Sequence, residues 1–271
     1  MQVTVLRSGS SGNATLFSSR RTRVLVDAGI PPTALARELA AADLVEACPL
    51  TAIIVTHAHR DHVGHASRIA QKRGIPVYLS EATARHVRME TGVETRIFHP
   101  REPFVIGDLS VAPLPLPHDA AQVALRFDDG GRRVAIATDL GQVPGALLGH
   151  LAGCDAVLLE SNHDEDLLRL GPYPEFLKRR ISSARGHLSN AQTGELLRVL
   201  PETVRTVVLL HLSETNNRPD LAVASAEDAL RGKDVALHVA RQNGALAVPQ
   251  RAAHVATPRV PRGPLQLSLF G

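Results

Sequence analysis

Thr56-His57-Ala58-His59-Arg60-Asp61-His62 follows directly on the apolar run Ala52-Ile53-Ile54-Val55. The run is short and largely β-branched, which predicts a buried strand, so the turn leaving its carboxyl end carries four potential metal ligands within six residues. His57, His59 and Asp61 alternate and can fan from a tight turn toward one point, with His62 adding an imidazole beside the third. Imidazoles with a carboxylate make a donor set suited to zinc, manganese or iron. A polar helix start with solvated histidines would have the same composition, but four donors so closely spaced favour a metal site.

The His-x-His-x-Asp-His run after a buried strand resembles the central signature of the metallo-β-lactamase-fold hydrolases. That resemblance implies an α/β, four-layer αββα architecture, with two mixed sheets face to face, helices outside and a one- or two-metal site along one edge. It also requires ligands much later in the chain. His118-Asp119 follows a strand-like segment, 104–116, whose Pro113, Pro115 and Pro117 bar its end from a central position. A hairpin then turns at Asp128-Asp129-Gly130-Gly131 and delivers Thr138-Asp139-Leu140-Gly141. These two stretches resemble the third and fourth ligand motifs of the fold, and His211, closing the apolar run Thr206–Leu210, resembles the last. The resemblance implies two divalent ions, Zn2+ or Mn2+. His57, His59 and His118 would hold one and Asp61, His62 and His211 the other. Asp139 would bridge them, a carboxylate offsetting the repulsion of two close cations.

Outward from this centre the chain alternates strands and helices. Strand-like Gln2–Arg7 and Ala14–Ser18 flank Ser8-Gly9-Ser10-Ser11-Gly12-Asn13, which is either a hairpin turn or, with exposed amides and hydroxyls, a phosphate cradle. The loop resembles that of the YycJ-like branch of the fold, whose members are DNA exonucleases, and on that resemblance Ser8, Ser10, Ser11 and Asn13 would orient a phosphate. Residues 23–27 read as a strand, 33–42, 65–72 and 81–91 as helices, and 76–79 as a strand. Asp27 reads as a turn residue or a support for the ligands, and His65 and His86 as helix-surface residues. A helix over 173–181 carries Lys178, Arg179 and Arg180, and Gly186-His187-Leu188-Ser189-Asn190 comes just beyond it. A basic run is a solvated face or a phosphate contact. Its position assigns Arg180, Ser189 and Asn190 to the substrate, because the free amides of the helix starting near Ser189 would face an anion. By resemblance, His187 would touch the scissile phosphate or protonate the leaving oxygen, with Asp61, Asp139 and His187 forming the catalytic set. His163 reads as a neighbour of the site. The interval from Asp139 to His187 leaves no room for an inserted domain of the β-CASP type.

Composition narrows the field. The 27 acids and 30 bases are unevenly placed: all the acids lie before residue 250 and Arg251, Arg259 and Arg262 after it, so the body is balanced and any nucleic-acid contact must be local. Aromatic residues make up 3% of the chain and tryptophan is absent, which argues against an extended base-stacking platform. Cys48 and Cys154 form no Cys-x-x-Cys pair and read as buried structural thiols. No run is long enough to span a membrane and the first residues lack a secretory pattern, which predicts a cytoplasmic protein.

The organisation expected is one catalytic domain, 1–249, and a linker, 250–271, containing Pro258, Pro261 and Pro264. The linker ends in Gln266-Leu267-Ser268-Leu269-Phe270, which packs on its own domain or serves as a docking peptide. It resembles the pentapeptide by which bacterial replication and repair proteins bind the β sliding clamp, with Gln266, Leu267, Leu269 and Phe270 as contacts. The function implied is a two-metal 5′-to-3′ exonuclease on DNA, single-stranded or at duplex ends. An RNA-processing enzyme of the same fold, a thioesterase or lactonase, and a non-enzymatic clamp adaptor remain open at this point.

Overall fold

The computed structural model describes residues 1–44 and 49–250; Cys48 and the clamp-like Gln266, Leu267, Leu269 and Phe270 lie outside them. Strands β1 (Gln2–Arg7), β2 (Ala14–Ser18), β3 (Arg23–Val26), β4 (Ala52–Ile54), β5 (Val77–Ser80) and β6 (Thr95–Phe98) lie side by side in chain order. Strands β7 (Phe104–Ile106), β8 (Leu109–Leu116), β9 (Gln122–Asp128), β10 (Arg133–Ala137), β11 (Ala156–Glu160), β12 (Thr206–Leu210) and β13 (Ala236–Val239) form a second sheet, also in chain order. β14 (Leu246–Ala247) returns to the first sheet beside β1. Each sheet begins as an antiparallel meander and turns parallel, from β3 in one and from β10 in the other.

Parallel neighbours need crossovers, and helices supply most of them. They are α1 (Pro32–Ala41), α2 (Arg60–Val63), α3 (Ala66–Arg73), α4 (Glu81–Ala84), α5 (Ala146–Leu151), α6 (Glu165–Leu170), α7 (Glu175–Ile181), α8 (Asn190–Arg198) and α9 (Pro219–Ala229). The two-residue period of the strands sorts their side chains into layers. Val24, Val26 and Ile54 face Val111, Leu125 and Ile136 between the sheets, where Phe17 stacks on Phe127 with ring centroids 4.0 Å apart. Alternate residues face outward: Leu16, Leu25 and Ile53 pack on Leu35 and Ile69 of α1 and α3, and Val157, Leu159 and Leu209 on Leu147, Leu196 and Ala226 of α5, α8 and α9. The result is the expected αββα sandwich. Both faces of the parallel strands are covered, which explains why Ala156–Leu159 and Thr206–Leu210 are almost uniformly apolar.

The prolines of β8 sit where the sequence allows them. Pro113 and Pro115 pair with Leu125 and Val123 of β9 on one side, while β7 reaches only Leu109 to Val111 on the other. Gly107, at φ +59°, makes the turn that divides 104–116 into two strands. The helix expected over 81–91 stops after Ala84, because beyond it Val87 and Met89 are partly buried at strand-like rather than helical spacing. β6 carries no alternating signal in sequence: it is an edge strand with only Phe98 buried. At the end of the sandwich where β1 begins, one clasp fastens both ends of the described fold to the β9–β10 hairpin. The Met1 ammonium pairs with Asp129, and the Arg132 guanidinium donates to the carbonyls of Met1 and Pro249.

Candidate metal centre

At the opposite end of the sandwich, the carboxyl ends of β3 and β4 meet those of β8, β10, β11 and β12. Asp27 and His211 follow a strand directly and Asp139 one residue later, at φ +60°, +55° and +57°; Asp43 is the one other non-glycine at positive φ among the described residues. A left-handed residue at a strand end costs about 1–3 kcal/mol and survives only where its surroundings over-determine it. Here the Asp27 amide donates to the Ile54 carbonyl at 2.8 Å and the His211 amide to Ser8 Oγ at 2.8 Å. The bend turns the side chain inward. The 57–62 turn is clamped in the same way, with the Asn13 amide donating to the Asp61 carbonyl and the Ala28 amide to the His62 carbonyl, both at 2.7 Å. Gly29 packs so closely on this turn that a Cβ would collide with the Asp61 carbonyl.

Donor atoms of His57, His59 and His118 lie within 4.8 Å of one another, as do those of Asp61, His62 and His211, and those of His57, His62 and Asp139. Each ring is held by its other nitrogen. His57 Nδ1 is 3.1 Å from Thr56 Oγ1, His62 Nδ1 is 2.7 Å from Asp27, His118 Nδ1 is 3.0 Å from the Gly186 carbonyl, and His211 Nδ1 is 2.9 Å from Glu160. His59 is turned the other way, its Nε2 lying 3.1 Å from Asp119 and its Nδ1 3.3 Å from His118 Nε2. Outer partners that fix the tautomer leave each ligating nitrogen with its lone pair toward the centre. The fit to a cation is visible in what lacks a close partner: Nε2 of His57 is buried without one and Nε2 of His211 has only Asp61, at 3.5 Å, a costly arrangement unless a further group completes it.

The charges agree. Burial alone would lower the pKa of His62 and of His211, but Asp139 with Asp27 holds the first well above its usual value, and Asp139, Asp61 and Glu160 push the second up to about 10. A field that binds protons this firmly binds metal cations for the same reason. His57, which is buried and faces other imidazoles, is shifted down. Asp139, completely buried, lies 3.1 Å from His62 and 3.4 Å from His211, and these cationic neighbours overcome its desolvation and keep its carboxyl well below the usual range.

Residues 22–212 match the model of the beta-lactamase superfamily domain. The chain belongs to this superfamily. It is 33% identical over 239 residues, 86% of this chain and 90% of the other, to a protein of Bacillus anthracis named Exodeoxyribonuclease YycJ. Among solved structures it is similar to the metallo-beta-lactamase fold protein YhfI from Bacillus subtilis, with a TM-score of 0.69 and 20% identity over 90% of this chain and 98% of that one. It is also similar to Zn(2+)-bound PqqB from Methylobacterium extorquens, with a TM-score of 0.68 and 18% identity over 91% and 99%. This superfamily member is a metal-dependent hydrolase. No helix among its described residues is long and apolar enough to cross a membrane.

In this β-lactamase-superfamily domain, the residues assigned to substrate divide into two groups. Asn13 Nδ2 is 2.9 Å from His62 Nε2 and 3.4 Å from Asp61, at the centre itself, whereas Ser10 and Ser11 are exposed on the loop and Ser11 hydrogen bonds Gln242. Ser8 supports the His211 amide. Ser189 forms a capping box with Gln192 at the start of α8, and Asn190 is closed between Ser161 and Asn217, so both hold the helix in place. Arg180 is bound to Asp119, the carboxylate that holds His59. His163 is buried beside Ser189 and lies outside every ligand group.

Glu160 was missed in sequence. Fully buried, it contacts Nδ1 of both His187 and His211 at 2.9 Å and accepts from the Leu140 and Leu188 amides at 3.1 Å. Burial opposes its charge, but His187 and His211 outweigh that and bring its pKa down to about 2. A lone acid ending the apolar run Ala156-Val157-Leu158-Leu159 was the available signal. Asn162, two residues on, donates to the His211 carbonyl at 2.9 Å and had no such signal.

Proposed function

We propose that this hydrolase is a two-metal phosphodiesterase acting in the cytoplasm as a 5′-to-3′ DNA exonuclease. The observation that carries the reading is the 33% identity, over 86% of this chain, to the protein named Exodeoxyribonuclease YycJ. The geometry supports it with two donor sets, His57/His59/His118 and Asp61/His62/His211, that approach each other through Asp139. Zn2+ or Mn2+ fits these donors, and when bound supplies Lewis acidity to phosphate oxygens and acidifies water. The rest is done by the chain. Asp139 and Asp61 bring negative charge to the centre, and Asn13 offers an amide donor beside His62 and Asp61. His187, its Nδ1 tied to Glu160, has Nε2 free to give a proton to the departing oxygen. Residues 266–270 would dock the enzyme on the β sliding clamp. An extended linker of 16 residues would reach roughly 50 Å at about 3.1 Å per residue and would raise the local enzyme concentration without altering the centre.

The test is metal-dependent degradation of DNA labelled at either end, with RNA and a small ester as controls. Stepwise loss from the 5′ end is expected. Intact DNA under both Zn2+ and Mn2+, with RNA or the ester cleaved, would overturn the substrate assignment and leave the hydrolase.

A further inference from the structure

α7 has no buried residue, an unusual state for a helix of seven residues, which cannot be stable by propensity alone. It is held at its margins. Pro174 precedes it, Lys178 Nζ donates to the Arg169 carbonyl at 2.7 Å, and Arg180 Nε donates to Asp119 at 2.7 Å. Through Asp119 that last bond ties the helix to His59, so one end of α7 is fixed to the metal centre. The loop after the helix is fixed there too, since the Gly186 carbonyl holds His118 Nδ1. A Cβ on Gly141 would strike the backbone of Ser183, Ala184 and Gly186, so the chain just after Asp139 and this loop are built to touch.

Outward the helix presents an aromatic ring and guanidinium groups, with Glu175 as its one acid. Phe176, 69% exposed, lies three and four residues before Arg179 and Arg180 and therefore on the same face, one turn from the metal-side anchor. The guanidinium groups of Arg179 and of Arg185, which adjoins Gly186, have no partner among the described residues. A cleft of about 240 Å3 opens between α6 and α7, lined by His163, Leu168, Lys178 and Arg179 together with Glu165 and Glu175. Its two acids are occupied, Glu175 with Lys178 at 3.3 Å and Glu165 with Ser189 at 2.9 Å. His163 is 2% exposed, yet its Nδ1 has no partner. An exposed ring flanked by free guanidinium groups, leading to a hydrolytic centre, fits a flexible polyanion that carries flat rings.

Resting on the nuclease reading above, we infer that the α7 face is the track on which single-stranded DNA enters the metal centre. Phe176 stacks on a base, Arg179 and Arg185 bind backbone phosphates, and His163 offers a donor to the nucleotide entering the cleft. One stacking residue suffices for this and suits a chain otherwise poor in aromatics.

The experiment compares the metal-loaded full chain with Phe176→Ala, Phe176→Tyr and Arg179→Glu/Arg185→Glu on labelled single-stranded DNA, using bis(p-nitrophenyl) phosphate as an internal control too small to span the face. Phe176→Ala should raise KM for DNA about tenfold, the size of one lost stack, and Phe176→Tyr should restore it. The double charge reversal should raise KM further and flatten the salt dependence of DNA binding by about 0.7 in slope per lost phosphate contact. KM for DNA unchanged in all three variants, with wild type degrading DNA normally, would overturn the track and leave the face to a protein partner. Wild type that hydrolyses only the small diester would instead overturn the nuclease reading itself.

Discussion

The two halves of the metal centre are built on different plans. His57, His59, Asp61 and His62 come from a single turn, clamped within the first sheet by the Asn13 and Ala28 amides. His118, Asp139, His187 and His211 come from the ends of different elements, up to 93 residues apart, and they converge only when β8, β10, β11 and β12 align. The halves also differ in support. Asp27 and Thr56, themselves local to β3 and β4, hold the rings of His62 and His57, whereas Glu160 joins His187 and His211 at 2.9 Å each. Two of the scattered rings thus share one buried carboxylate, while His118 rests on the Gly186 carbonyl.

The strongest test of this contrast is Asp139→Ala, because Asp139 belongs to the scattered half yet contacts His62 of the turn. Turnover should fall on the order of a thousandfold or more, with circular dichroism and thermal unfolding near wild type. Wild-type turnover would separate the halves and remove the bridge. Next comes Glu160→Gln, which keeps shape and removes charge. Metal titration should show one ion bound about 10–100-fold more weakly and the other, held by His57, His59 and His118, little changed. An equal loss at both ions would mean that the halves are not independent.

Ser8→Ala removes the acceptor for the His211 amide. It should lower stability by about 1–2 kcal/mol in denaturant unfolding, and should weaken the His211-side ion more than its neighbour. The smallest effect is on acid stability without metal. Glu160 is depressed to about 2, so its contribution is fully present above the unfolded carboxyl value near 4.5 and is lost as pH falls toward 2. Glu160→Gln should therefore unfold with a shallower pH dependence between those limits, measured by circular dichroism after chelation.

This difference in plan also explains what the sequence revealed. The 57–62 turn could be read because its chemistry is contiguous, and individual strands from their apolar runs, whereas the pairing of two sheets followed from the resemblance to a known family. His118, Asp139 and His211 became ligands only by likeness to a known family, since one histidine or aspartate at a strand end carries no signal of its own. Glu160 and Asn162 were illegible for a further reason: their partners are 27 to 51 residues away and their bonds exist only in the folded sheet. Ser189 and Asn190 looked like substrate groups because hydroxyls and amides at a helix start have that chemistry. In the fold they serve the helix itself. Edge strand β6 was silent because one buried residue makes no period.

The clasp at the far end bears on how the chain could be rearranged. Met1 and Pro249 are both gripped by Arg132, so a short peptide joining Gln250 to Met1 would close the folded body into a ring. The ring could then be opened at an exposed turn such as Gly92, giving a circular permutant with every ligand in its native place and order of strands in space. Such a permutant would keep the centre while exchanging which half is synthesised first.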